Sequence, residues 1–235
     1  MTFFRNGLAA LLLLVLPSHL AAAPVRDWSQ VAARTPTGAF VQGNPRARVK
    51  LTEYLSLTCP HCALFEAEGI APLTAKYVRP GLVSYEVRHA LRDGFDFAGA
   101  MLARCNGPQA FFTTLPNVYA RQDDWFSRAR AWSQVEQADG LPVDQLLPKL
   151  ARGAGFDMLF AMPAARMDGC LANQDEQKIL TDMAAQAWAL PKFPGTPAFA
   201  IDGVLRPDIH SWTDLDAALR RALHLRPSPR KTAHK

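Results

Sequence analysis

The sequence predicts an α/β domain in which a long helical block interrupts a βαβ unit and a ββα unit. Three observations predict it. Val49, Leu51, Glu53 and Leu55 share one face at the period of a strand and run into Cys59-Pro60, a helix opening. From Asp93 to Leu190, Ala, Met, Leu, Phe and Trp recur at three- and four-residue spacings. Phe193-Pro194-Gly195-Thr196-Pro197 ends that stretch, and strand, turn, strand and helix signals follow it.

Each element has its own signal. Residues 60–77 read as a helix with Leu64, Phe65, Leu73 and Tyr77 apolar, and Pro72 is expected to kink it. Pro80-Gly81 marks a turn and Leu82 to Val87 a second strand, parallel to the first because a helix joins them. The helical block should break at Gly107-Pro108, Gly140, Gly153 and Gly169. Ala198 to Ile201 is strand-like, Asp202-Gly203 is a hairpin signal, and Val204-Leu205 starts the return strand. Ser211, with Asp214 three residues on, opens a last helix that runs to about Arg221. The expected boundaries are a leader at 24–47, the βαβ half at 48–92, the inserted block at 93–192, the ββα half at 193–224 and a tail at 225–235.

The two ends carry separate information. Arg5, the unbroken apolar run Leu8 to Leu16, a break at Pro17 and Ala21-Ala22-Ala23 make residues 1–23 a secretory signal peptide. The run is too short for a membrane-spanning helix, which needs about 20 apolar residues. An oxidising compartment, the periplasm, then favours disulfides among the four cysteines Cys59, Cys62, Cys105 and Cys170. The net charge of +5 is concentrated at the C-terminus. Arg220, Arg221, Arg226, Arg230, Lys231 and Lys235 occur there without an acid, so no basic face for nucleic acid is read from it.

Chemistry concentrates at Cys59-Pro60-His61-Cys62. A Cys-x-x-Cys pair by itself is a weak signal, but here it lies between a strand end and a helix start. The first cysteine then meets free amide N–H groups and the positive end of the helix dipole, which favour a thiolate. Cys62 falls one turn inside the helix. The expectation is an exposed, acidic Cys59 and a shielded Cys62, with the His61 imidazole either donating to the Cys59 sulfur or balancing its charge, or else facing solvent without a role. Glu53, on the apolar strand face six residues before Cys59, is either a buried acid able to relay the Cys62 proton or a carboxylate on an exposed edge. No cofactor is called for, and no second close Cys-x-x-Cys or His pair supports a metal site.

At these residues the chain resembles the DsbA-like branch of the thioredoxin superfamily, over about residues 45–224. The resemblance implies a thioredoxin fold with a helical-domain insertion and a thiol:disulfide oxidoreductase. It implies that Glu53 is the buried acid, that Pro197 is cis beside the disulfide, and that Thr196 offers backbone groups to an extended substrate. Cys105 and Cys170, in the helical block, depart from the usual pattern; some members have a second disulfide there, and the pair is read as that structural disulfide, with two buried free cysteines as the alternative. Implied partners are exported proteins with free cysteines and a membrane quinone-linked oxidase of the DsbB type. One departure is Thr196, where enterobacterial-type members usually have Val and related isomerases have Thr. The leader is too short for a separate dimerisation domain, so a monomeric oxidase is expected. The alternatives are an isomerase or reductase kept reduced by a membrane partner, a metal-binding module using Cys59, Cys62 and His61, and a chaperone using the helical block.

Overall fold

A computed structural model describes residues 26–136 and 140–225. The signal-peptide assignment and all but the first residue of the basic tail lie outside these. The centre is a six-stranded sheet in the order β1-β2-β4-β3-β5-β6. The strands are β1 (Ala32–Arg34), β2 (Phe40–Gly43), β3 (Val49–Leu55), β4 (Val83–His89), β5 (Ala198–Ile201) and β6 (Val204–Leu205). β3 and β4 run parallel, as the helix between them requires, and every other pairing is antiparallel.

The segment read as a leader supplies β1 and β2. Ala32-Ala33-Arg34 has no apolar alternation, so nothing local marks it as a strand; pairing with β2 makes it one. β2 lies on β4, with Phe40 fully buried. Gly43 is required there: its φ is +114°, and a Cβ would sit 2.9 Å from the Val83 carbonyl oxygen.

The helix after β3 is one continuous run, here α1. It is α-helical over Pro60–Phe65 and Ala71–Leu73, and π-helical over Glu66–Ile70 and Thr74–Val78. Pro72 has no N–H to give to an i−4 carbonyl. The helix widens on either side of it and stays continuous.

Among the described residues, seven helices fill the insertion: α2 (Gly94–Arg104), α3 (Gly107–Ala120), α4 (Gln122–Val135), α5 (Val143–Gly153), α6 (Phe156–Leu159), α7 (Ala164–Leu171) and α8 (Gln174–Trp188). Gly107 opens a helix and Gly153 ends one, as read. Gly169 does not break α7; it lies inside the helix in open space, where a missing side chain costs only propensity. Cys105 and Cys170 form a disulfide, with Cα atoms 5.7 Å apart, that ties the end of α2 to the end of α7. A buried ion pair binds the insertion to the N-terminal strands. Arg104 donates to Glu176 at 2.6 Å and to the Gly38 carbonyl at 2.6 Å, while Arg34 reaches the same carboxylate at 2.7 Å. Asp202 and Gly203, at φ +51° and +79°, turn β5 into β6. α9 (Trp212–Ala222) then closes the chain, capped by Ser211, whose hydroxyl accepts from the Asp214 N–H at 3.2 Å.

Candidate active site

β3 is central, flanked by β4 and β5, and this decides the face of Glu53. Val49, Leu51, Glu53 and Leu55 are all buried, whereas Lys50 between them is exposed. The exposed-edge alternative for Glu53 is therefore excluded. β3 ends at Leu55, and Ser56 to Thr58 carry the chain into Cys59, the N-cap of α1, with Pro60 at the first helical position.

Helices of the insertion hold that connection in place. Gln122, at the start of α4, donates through Nε2 to the carbonyls of Leu57 (2.6 Å) and Cys59 (3.0 Å). The Tyr119 hydroxyl donates to the Ser56 carbonyl at 3.1 Å. Asp96 accepts from the Leu57 N–H at 2.8 Å, and Asp93 accepts from the Thr58 hydroxyl at 2.7 Å. None of these residues stood out in the sequence. Their positions follow from how helices 35 to 65 residues away fold back onto the loop.

Both thiols are buried, Cys59 at 2% exposure and Cys62 at 1%. The expectation of an exposed Cys59 is corrected. The Thr196-Pro197 loop lies over it, and the Cys59 thiol donates to the Thr196 carbonyl at 3.0 Å. The two sulfurs still differ sharply. Cys59 is lowered from 9.0 to about 5. The largest cause is the hydrogen bond from the Cys62 thiol; burial opposes it, and the Thr196 side chain and the N–H groups of Cys62 and His61 add to it. The contact to the Thr196 carbonyl favours the protonated thiol, but these four donors together outweigh one acceptor. Cys62 is pushed well above 9.0, first by burial and then by Cys59 beside it. His61 acts on Cys59 through its backbone N–H; its ring is exposed, which replaces the imidazole contact expected from the sequence.

Behind the thiols lies a buried acid site. The Tyr85 hydroxyl of β4 donates to Glu53 Oε2 at 2.5 Å. Burial pushes Glu53 up to about 8, although the Tyr85 bond pulls the other way and Glu66 and Cys59 add repulsion. Glu66, one face round on α1, is raised by burial to about 7. It lines, with Tyr85, Gln42 and Arg79, a cavity of about 220 Å³. Glu53 also acts on Cys62 electrostatically, so the carboxyl and the inner thiol titrate within reach of each other.

On the other flank of α1 a groove of about 420 Å³ reaches Thr196, whose carbonyl contacts the Cys59 sulfur. His61, Leu64, Phe65 and Glu68 form its helical wall, opposed by Pro194, Thr196, Pro197 and the residues His210 to Trp212. The Thr196–Pro197 peptide is cis. The structure thus brings Cys59, Pro60, His61, Cys62, Glu53, Thr196 and Pro197 to one place and leaves Cys105–Cys170 apart as a bridge within the helical block. Among the described residues, no three His, Cys, Asp or Glu side chains are grouped so as to hold a metal ion.

The thioredoxin family model matches residues 35–221, most of the chain. A crystal structure named as a protein-disulfide isomerase from Novosphingobium aromaticivorans is 30% identical, covers 78% of this chain and 96% of its own, and superposes with a TM-score of 0.72. The alpha-DsbA1 of Wolbachia pipientis shares the fold at 19% identity and a TM-score of 0.62, over 81% of this chain and 94% of its own. Proteins of Rickettsia prowazekii and Rickettsia conorii whose names place them among the protein-disulfide oxidoreductases are 28% and 31% identical over 78% and 70% of this chain. The chain spans only 61% and 53% of those two relatives' lengths. With a central βαβ and ββα sheet, a cysteine pair at the head of α1 and a helical insertion, the chain belongs to the thioredoxin family.

Proposed function

We propose that the chain is a thiol:disulfide oxidoreductase that donates a Cys59–Cys62 disulfide to exported proteins as they fold. The observation that carries this reading is the inequality of the two thiols. Cys59 at about 5 is a stable thiolate at neutral pH, and Cys62 is held protonated. Only the reduced form has a thiolate to stabilise. At pH 7 the fall from 9 to about 5 favours the reduced form by about 3 kcal/mol, or about 60 mV for two electrons. The disulfide is an oxidant by that margin relative to an ordinary pair.

The reaction has two exchanges. A substrate thiolate attacks the Cys59 sulfur, the Cys59–Cys62 bond breaks, and a mixed disulfide forms. Cys62 leaves as a thiolate and takes the proton of Glu53, which is neutral at pH 7 with its pKa near 8. A second substrate thiolate attacks the substrate sulfur of the mixed disulfide. The substrate is oxidised, and Cys59 departs as the stabilised thiolate. Thr196 and Pro197 form the wall against which an extended substrate segment lies. The pattern of residues 1–23, read as a signal peptide, supports action in the periplasm. A quinone-linked membrane oxidase of the DsbB type fits as the group that restores the disulfide.

A second reading, isomerase, is supported by Thr196 before Pro197 and by the name of the relative that is 30% identical. Equilibration with graded reduced and oxidised glutathione, followed by thiol trapping and mass measurement, separates the two. A pair that stays reduced until the buffer is strongly oxidising supports donation. A pair that resists reduction near or below the thioredoxin range of about −270 mV overturns it. Cys59→Ser should abolish oxidation of a reduced protein substrate, and full activity in that variant would remove Cys59 from the mechanism.

A further inference from the structure

The groove beside Cys59 is not electrically neutral. His61, Leu64, Phe65 and Glu68 stand on one face of α1, at the spacing that stacks side chains along a helix. Leu64 is 54% exposed and, with Trp212 across from it, makes the middle of the groove apolar. Glu68 occupies the end away from the sulfurs. It is the one carboxylate among the lining residues, and no Lys or Arg lines the groove. Among the described residues no ion pair or hydrogen bond involves the Glu68 side chain. The nearby cation behind Trp212, Lys76, lies 5.1 Å from the indole and is held by Asp216 at 3.2 Å.

We propose that Glu68 is a specificity determinant: the groove selects polypeptide segments that carry a Lys or Arg about four residues from the reacting cysteine, with an apolar side chain between. The spacing comes from chain geometry. Cys59 to Glu68 is nine residues of helix, about 13 Å at 1.5 Å per residue. An extended segment advances about 3.3 Å per residue and covers that distance in about four. A cysteine over Cys59 therefore sets an aliphatic or aromatic residue over Leu64 and Trp212, and a cation over Glu68. Glu68 is a positioning group, acting on where the segment sits and not on the sulfurs. The inference rests on the disulfide-donor reading of the site and adds a charge preference to it.

The test uses nonapeptides with one cysteine, a leucine two residues away and Lys, Ala or Glu at the fourth residue, placed on either side. The rate of attack on the oxidised protein is read by stopped flow and divided by the rate of the same peptide with a small aromatic disulfide, which cancels the peptide's own reactivity. On the favoured side the Lys peptide should exceed the Ala peptide about fivefold, the size of one solvent-exposed charge pair at contact. The ratio should fall toward one in 1 M salt, where screening acts over about 3 Å. Glu68→Gln should bring it within twofold, and Glu68→Lys should invert it. Because each value is a ratio within one variant, a loss of folded protein does not imitate the result. A wild-type ratio within twofold on both sides overturns the proposal, as does a preference that survives Glu68→Gln. If no peptide outpaces its reaction with the small disulfide, the donor reading falls and the selectivity with it.

Discussion

Replacing Glu53 with Gln should make the protein more stable while it impairs turnover, and the gain should grow with pH. In the unfolded chain Glu53 ionises near 4.5; in the fold it holds its proton to about 8, chiefly because it is buried. A raised folded pKa means that its contribution is intact below 4.5 and is lost as pH rises towards 8. Over that window the unfolded state releases the proton and the native state cannot. At pH 7 the span is 2.5 units, or about 3 kcal/mol against folding, and above pH 8 it is 3.5 units, or about 5 kcal/mol. Gln keeps a carbonyl for the Tyr85 hydroxyl and removes the titration. Its NH₂ group needs a partner, and an unmade bond would cost about 1–3 kcal/mol at every pH. The pH dependence is therefore the diagnostic quantity. Urea denaturation of both proteins, oxidised so that neither thiol titrates, should show the Gln variant gaining about 3–4 kcal/mol on the wild type between pH 5 and pH 8. Parallel pH profiles, within about 1 kcal/mol, would refute the claim that Glu53 is neutral in the fold at pH 7.

Three further outcomes are expected. Tyr85→Phe removes the bond that stabilises the Glu53 carboxylate, so carboxyl NMR should place Glu53 higher in the variant than in the wild type; an equal or lower value would contradict the contact. Gln122→Ala deprives the Leu57 and Cys59 carbonyls of their donor and should cost about 1–3 kcal/mol in urea denaturation, with no loss indicating that water replaces the amide. Replacing Cys105 and Cys170 together by Ala opens a cross-link between residues 65 apart and should cost about 4 kcal/mol. In that variant the absorbance of the Cys59 thiolate should still titrate near 5, since none of the causes of its shift comes from the bridge.

The local sequence by itself determined the elements whose signals are short-range. Alternation at Val49 to Leu55 sufficed for β3, because a strand face repeats every second residue. Cys59 and Pro60 marked the head of α1, since a helix N-terminus takes proline at its first position and leaves amides free for a thiolate. Asp202-Gly203 and Ser211 likewise announced a turn and a cap through their own backbone preferences. The tertiary structure decided what depends on partners far away in the chain. β1 exists because β2 pairs with it, and the run Ala32-Ala33-Arg34 has no pattern of its own. Glu53 could be read as inside or at an edge until β5, nearly 150 residues later, closed over its strand and removed it from water. The burial of Cys59 depends on the Thr196-Pro197 loop, and the firmness of its setting on Gln122, Tyr119 and Asp96. Such contacts leave no periodicity and no fixed spacing, because a hydrogen bond or a desolvated charge is a property of position in space, which only the packed chain defines.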